Sequence, residues 1–256
     1  VSARHGSPRT APARPVAHVV VVVPARDEEA LVDRCLASVT AACARLAAAT
    51  GVGAEVLLVA DGCTDATAER ARAHAVRVLE TPAAGVGAAR ALGAATGLAG
   101  SPAPAGRTWL LCTDADTWVP PDWALEHVAL ADAGADLVLG TVRPDPDDLP
   151  ERVVRLWRST RVPGRPNGHV HGANLGVRAD AYAAVGGFAA VEGDEDVDLV
   201  ARLRALPDVR AVASDAVDVL TSGRRVGRTT GGYAGYLRAL AVRALADERE
   251  DRTEPA

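Results

Sequence analysis

Two aspartates one residue apart, Asp114 and Asp116, follow an apolar run in WLLCTDADTWVPPDW. Carboxylates spaced this way at a loop can share one divalent cation, directly or through water. Mg2+ and Mn2+ favour such oxygen ligands and keep positions open for phosphate oxygens. The other reading is a helix-capping aspartate beside a solvated one. In GDEDVDL, the acids Asp194, Glu195, Asp196 and Asp198 crowd the start of an amphipathic segment. Like charges raise at least some of their pKa values, which suits a general base, Asp196 first and Glu195 second. A charged helix N-terminus without chemistry is the alternative. Asp61, in VADGCTDAT, ends an apolar run just before a helix start, where its carboxylate can accept a hydrogen bond from a nucleobase N–H. Its neighbours Thr64 and Asp65 read as helix caps. Of Glu28 and Glu29 in PARDEEA, one is expected only to complement a helix dipole.

Composition narrows this chemistry. The 28 basic residues are all arginine, which removes the lysine of a Walker A phosphate loop and the Schiff-base lysine of a pyridoxal enzyme. A phosphatase of the D-x-D-x-T type is also disfavoured, because Trp118 stands where its threonine belongs. A net charge of −5 gives no reason to expect nucleic-acid binding. Cys35, Cys43, Cys63 and Cys112 form no C-x-x-C pair and no zinc spacing, so they read as buried, reduced thiols in a cytoplasmic protein. No stretch reaches the roughly 20 apolar residues of a membrane span. Residues 1–17, rich in Arg, Pro and Ala, read as a disordered leader, and residues 247–256 as a charged tail.

These residues need a frame to bring them together. HVVVVVPA, residues 18–25, is a continuous apolar run, as expected of a parallel strand buried on both faces. From Asp27 the spacing of Val32, Cys35, Leu36, Val39, Cys43 and Leu46 turns helical. Further strands are expected at 54–60, 76–80, 108–113, near 136–141 and near 209–219. Helices are expected at 64–75, 85–99, about 122–131, 151–159, at DEDVDLVARLRAL and from the basic loop TSGRRVGRTTGG to about Ala246. RPDPDDLP reads as a linker, and HVHGANLGVRADAYAAVGGF as a short strand, a turn and a short helix. Repeated βα units predict an α/β fold, with a Rossmann-like, mostly parallel sheet flanked by helices. Ligands then bind beyond the carboxyl ends of the strands, where the acids of the first half fall.

Taken in order, VVVPARDEEA, VADGCTDAT, GVGAAR, TDAD, HGANLGVR, VGGF and DEDVDL resemble the family 2 glycosyltransferases with the GT-A fold. The resemblance covers about residues 18–230. It implies a nucleotide-sugar-binding half at 18–143 and a smaller acceptor and catalytic-base half at 144–246. Asp61 would contact the uracil of a UDP-sugar, and Pro24, Ala25 and Glu28 would line the nucleoside pocket. Arg90 would lie near the nucleotide phosphates and Asp114 near the ribose and sugar. Asp116, with Asp114, would hold Mg2+ or Mn2+. His171, Gly172, Ala173 and Asn174 would face the sugar and acceptor, and Asp196 would be the base. Arg224, Arg225 and Arg228 would close over the diphosphate. The chain departs from the family at Ala60, Cys63, Asp27 and Ala91, where Asp, Ser, Asn and Asn are common.

Residue chemistry leaves two of these positions open. His169 and His171 flank Val170 and would share one face of a strand, as a structural pair or with His171 reaching the sugar or metal. Asn174 either bonds a sugar hydroxyl or fixes the turn. The expected activity is inverting transfer of a hexosyl group from a nucleotide sugar, UDP ahead of GDP and dTDP, to a hydroxyl of a small-molecule or lipid-linked acceptor. The rivals are a nucleotidyltransferase and a non-catalytic nucleotide-sugar-binding protein. The helix GYAGYLRALAVRAL either packs on the domain or rests peripherally on a membrane.

Overall fold

In the computed structural model the described residues are 14–189, 193–227 and 232–251, with side chains described to residue 246. Five consecutive valines, Val19–Val23, leave β1 (His18–Ala25) no polar face, so it needs cover on both sides. It lies between two parallel neighbours, β2 (Gly53–Asp61) and β4 (Thr108–Cys112). The remaining strands are β3 (Arg77–Thr81), β5 (Thr117–Trp118), β6 (Leu137–Pro144), β7 (Leu175–Arg178) and β8 (Ala211–Thr221). One sheet holds all eight in the order β3-β2-β1-β4-β7-β6-β8-β5. Strand β7 runs antiparallel between β4 and β6, and β5 runs antiparallel to β8; the other pairings are parallel.

Helices cover both faces. Val19, Val21 and Val23 pack under α1 (Val32–Thr50) and α4 (Trp123–Asp132), against Leu36, Val39, Leu46 and Trp123. Val20 and Val22 face α3 (Val86–Gly100), α6 (Ala179–Ala184) and α7 (Glu195–Arg204). Helix α3 comes close because it is smooth: a Cβ at Gly93 would lie 2.5 Å from Val22 Cγ1, and one at Gly97 2.4 Å from Val20 Cγ1. A third apolar cluster joins α5 (Glu151–Ser159) to α8 (Gly232–Asp251) through Val153, Val154, Leu237 and Leu240. Between β2 and β3 lies the short α2 (Thr67–Ala71). No described helix is long and apolar enough to cross a membrane.

Several expectations shift. Helix α1 starts at Val32, not near Asp27, because Asp27 sits at φ 50° with its carboxylate accepting from the Thr64 backbone N–H at 2.7 Å. Residues 64–66 are drawn into the same contact network, so α2 begins only at Thr67. The expected linker at 143–150 is built into the fold: Asp145 N–H donates to Thr221 O at 2.7 Å, and Asp148 accepts from Gly223 N–H at 2.7 Å. The two expected halves share one sheet. Of the expected leader, residues 1–13 lie outside the described residues, while the last few are docked: Val16 N–H donates to Asp132 at 2.7 Å and Ala17 N–H to Arg107 O at 2.8 Å. The cysteines are free, and Cys63 is only half-buried. His169 and His171 lie on a loop rather than a strand.

Candidate active site

A cleft of about 530 Å³ opens over the carboxyl ends of β1, β2 and β4. At one end stands Asp61, the last residue of β2 and 3% exposed. Its Oδ1 accepts from the Ala84 N–H at 2.7 Å and its Oδ2 from the Gly85 N–H at 3.0 Å, which fixes the carboxylate plane. Pro24, Ala25, Arg26 and Glu28 line the wall beside it. Glu29 turns away and its carboxylate accepts from the Ala66 N–H at 3.0 Å, while Asp65 accepts from the Thr67 N–H at 2.9 Å. The helix-terminal roles therefore fall to Glu29 and Asp65, and Glu28 is the acid left in the cleft wall.

Asp114 and Asp116 hold the centre, in the turn between β4 and β5. Arg224, three residues past β8, reaches across with Nη2 2.8 Å from Glu28 Oε1 and 2.7 Å from Asp116 Oδ2. Burial and the neighbouring Asp114 push the Asp116 carboxyl up to about 6, with Arg224 pulling the other way. A largely buried carboxylate beside a half-buried one, each with an arginine drawn to it, is an oxygen donor set that fits Mg2+ or Mn2+.

Arg90 lies behind them, 4% exposed. Its Nη2 is 2.5 Å from Asp114 Oδ1, and its Nη1 pairs with Glu195. Gly172 lies flat on the guanidinium, where a Cβ would come within 2.3 Å of Nη2. The Gly172 N–H donates to Asp196 Oδ2 at 2.6 Å. One buried cation thus touches three of the sequence motifs: the aspartate pair, the acids that open α7, and the HGAN turn. Glu195 is buried against Arg90, whereas Asp196 is half-buried on the cleft wall.

The other candidates divide. His171, Gly172 and Ala173 line the cleft. Asn174 is fully buried instead, in a niche that Gly140 leaves open. Its Nδ2 donates to Thr141 O at 2.8 Å and Val217 O at 2.9 Å. Its Oδ1 accepts from Trp123 Nε1 at 2.9 Å and lies 3.0 Å from His127 Nε2. All of the amide's capacity is used inside the protein, so Asn174 fixes the turn and does not reach a sugar. Arg225 is exposed and not on the cleft wall, and Arg228 lies outside the described residues. Trp157, Arg161, Tyr233, Tyr236 and Thr221 also line the cleft without having been singled out in the sequence. Thr221 opens the expected basic loop, Arg161 lies just past the expected helix 151–159 that contains Trp157, and the two tyrosines belong to the expected last helix.

The sequence pattern of glycosyl transferase family 2 matches residues 20–186. No curated protein sequence matches the chain. Among solved structures, the mannosyltransferase PcManGT from Pyrobaculum calidifontis, in complex with GDP-Man and Mn2+, is similar with a TM-score of 0.57 and 21% identity, over 93% of this chain and 65% of its own. TarS 1-349 from S. aureus, in complex with UDP, gives 0.55 and 16%, over 80% of this chain and 60% of its own. Mannosyl-3-phosphoglycerate synthase from Rubrobacter xylanophilus gives 0.54 and 17%, over 93% and 76%. These likenesses establish the GT-A fold. The chain spans less than two thirds of the length of the first two.

Proposed function

Since the chain belongs to glycosyl transferase family 2, we propose that its cleft moves a hexosyl group from a nucleotide sugar to an acceptor hydroxyl in one in-line displacement with inversion. One observation carries this reading. Asp61, Asp116 and Asp196 come from segments far apart in the chain and line a single cleft. Asp61 accepts a ring N–H of the nucleobase. Each of its oxygens accepts one backbone N–H, which fixes the carboxylate and leaves acceptor sites for a base N–H. UDP is the nucleotide we favour, as the sequence resemblance implies. Asp114, held by Arg90, faces the ribose and sugar.

Asp116, with Asp114, would hold the divalent cation, which offsets charge on the departing diphosphate. Arg224 sits within reach of the same diphosphate and offers a forked donor to its oxygens. Asp196 takes the proton of the attacking hydroxyl. The Gly172 N–H donates to its Oδ2 at 2.6 Å and the Val197 N–H to its Oδ1 at 2.9 Å, which fixes the carboxylate on the cleft wall while each oxygen keeps a lone pair for the acceptor proton.

Thermal-shift titration with UDP, GDP and dTDP, with and without Mn2+, tests the donor half. UDP with Mn2+ should raise Tm most, by mass action on the folded state. Asp196→Asn should remove turnover of UDP-sugars and leave that shift in place. No response to any of the nucleotides would end the reading.

A further inference from the structure

The chain has 4 Trp, 3 Tyr and 1 Phe, and spends most of its core on aliphatic residues. Yet Trp157, Tyr233 and Tyr236 meet at one end of the cleft, together with His169 and His171. Tyr233 and Tyr236 are stacked, with centroids 5.8 Å apart and an interplanar angle of 29°. His171 meets Tyr233 edge-on at 5.7 Å. The group adjoins Gly172, whose N–H holds Asp196, so it lies on the acceptor side of the proposed base. Tyr236 is 39% exposed, which leaves its ring available to a ligand.

Resting on the function proposed above, we propose that this end is the acceptor subsite and that the acceptor is an uncharged sugar, its ring stacked on Tyr236 and its attacking hydroxyl directed at Asp196. Three properties select that class. A pyranose presents a C–H face that packs on an aromatic ring, with hydroxyls at its edge. Asn167, His169, His171 and Thr160 around the platform supply polar groups for those hydroxyls. An alkyl chain would instead leave these groups desolvated without partners.

An anionic acceptor finds little here. Among the described residues of this end the guanidinium is that of Arg161, and it is already engaged. It donates to Val142 O at 2.5 Å and Asp218 Oδ1 at 3.0 Å, and it lies over the Trp157 ring at 4.8 Å. Burial, with the neighbouring His169, pushes His171 down to about 4, so its ring is neutral at pH 7. Asp194 and Asp196 on the same wall repel a phosphate or carboxylate.

The experiment uses the full chain with Mg2+ and UDP, observed by saturation-transfer NMR. The probes are the methyl glycosides of glucose, galactose and mannose, with glycerol 3-phosphate and octanol as the anionic and alkyl comparisons. At least one glycoside should bind, with the strongest transfer to protons of one ring face. Tyr236→Ala should weaken it about 5- to 10-fold, and Tyr236→Phe should restore it, as expected when one aromatic contact of about 1 kcal/mol is lost. Binding of glycerol 3-phosphate or octanol without any glycoside overturns the proposal. So does a glycoside affinity unchanged in Tyr236→Ala, or no binding by any probe. UDP affinity, measured on the same sample, separates the two readings: if UDP binds and the glycosides do not, only the acceptor class falls.

Discussion

Asp116 carries a cost that the folded protein accepts for the sake of the site. An acid whose pKa rises from its ordinary 3.8 to about 6 on folding takes up protons as the chain folds. Its penalty is absent below pH 4, grows between pH 4 and pH 6, and is complete above that. In metal-free protein, Asp116→Asn should therefore be more stable than the natural chain at pH 7, by about 1–3 kcal/mol, and gain nothing at pH 4. Urea unfolding at the two pH values checks the sign; an equal difference at both would refute it. The variant should also lose the Tm increase that Mn2+ gives the natural chain. Arg90 predicts the opposite. It is a buried cation between Asp114 and Glu195, so Arg90→Ala leaves two carboxylates facing each other and should cost about 3–5 kcal/mol. Arg90→Lys keeps the charge without the fork. It should recover part of the stability while turnover stays low, because Gly172 and with it Asp196 lose their flat support.

The elements were legible in the sequence where they were apolar runs, and less so where side chains reached between them. The valines of β1 gave strand, burial and parallel neighbours at once, and 151–159 read as a helix from end to end. The start of α1 was misplaced because the Asp27 carboxylate holds the Thr64 N–H, a contact between residues 37 apart. Asn174 was ambiguous for the same reason. The four groups that saturate it come from α4, β6 and β8, and no local pattern announces them. Strand β5 has two residues and no periodicity to detect. The glycines of α3 were legible as small residues, and the structure supplies what they touch. Gly97→Ala puts a Cβ 2.4 Å from Val20 Cγ1, so the helix must lift or the valine must move. We expect a loss of about 1–3 kcal/mol from this overpacking. Val20→Ala opens the same spot from the other side, and the double variant should be less destabilised than the sum of the singles. Guanidinium unfolding of the four proteins measures the coupling; strict additivity would mean the helix is not held at this distance.

Across the whole molecule, the site exists because the sheet curls. Strand β8 is four places from β1 in the sheet, yet the segment after it returns Arg224 to Glu28 beyond the end of β1 and to Asp116 beyond the end of β4. Strand β5 makes this possible by pairing Thr117 with Thr221, and the Thr221 hydroxyl donates to Asp116 Oδ1 at 3.3 Å. Arg224 and the proposed cation then use the same carboxylate oxygens before a nucleotide arrives. In the function proposed above, a bound diphosphate would end this competition, since both would have phosphate oxygens to meet. Replacing Arg224 should consequently act in opposite directions on two binding steps. Arg224→Met should tighten Mn2+ binding to the nucleotide-free chain by about 3-fold, because one favourable partner of Asp116 is gone. It should weaken UDP binding at saturating Mn2+ by about 10-fold or more, because a forked donor to the diphosphate is lost. Isothermal titration of each step measures both. Weakening in both steps would mean that Arg224 only shapes the loop, and weakening in neither would remove it from the site.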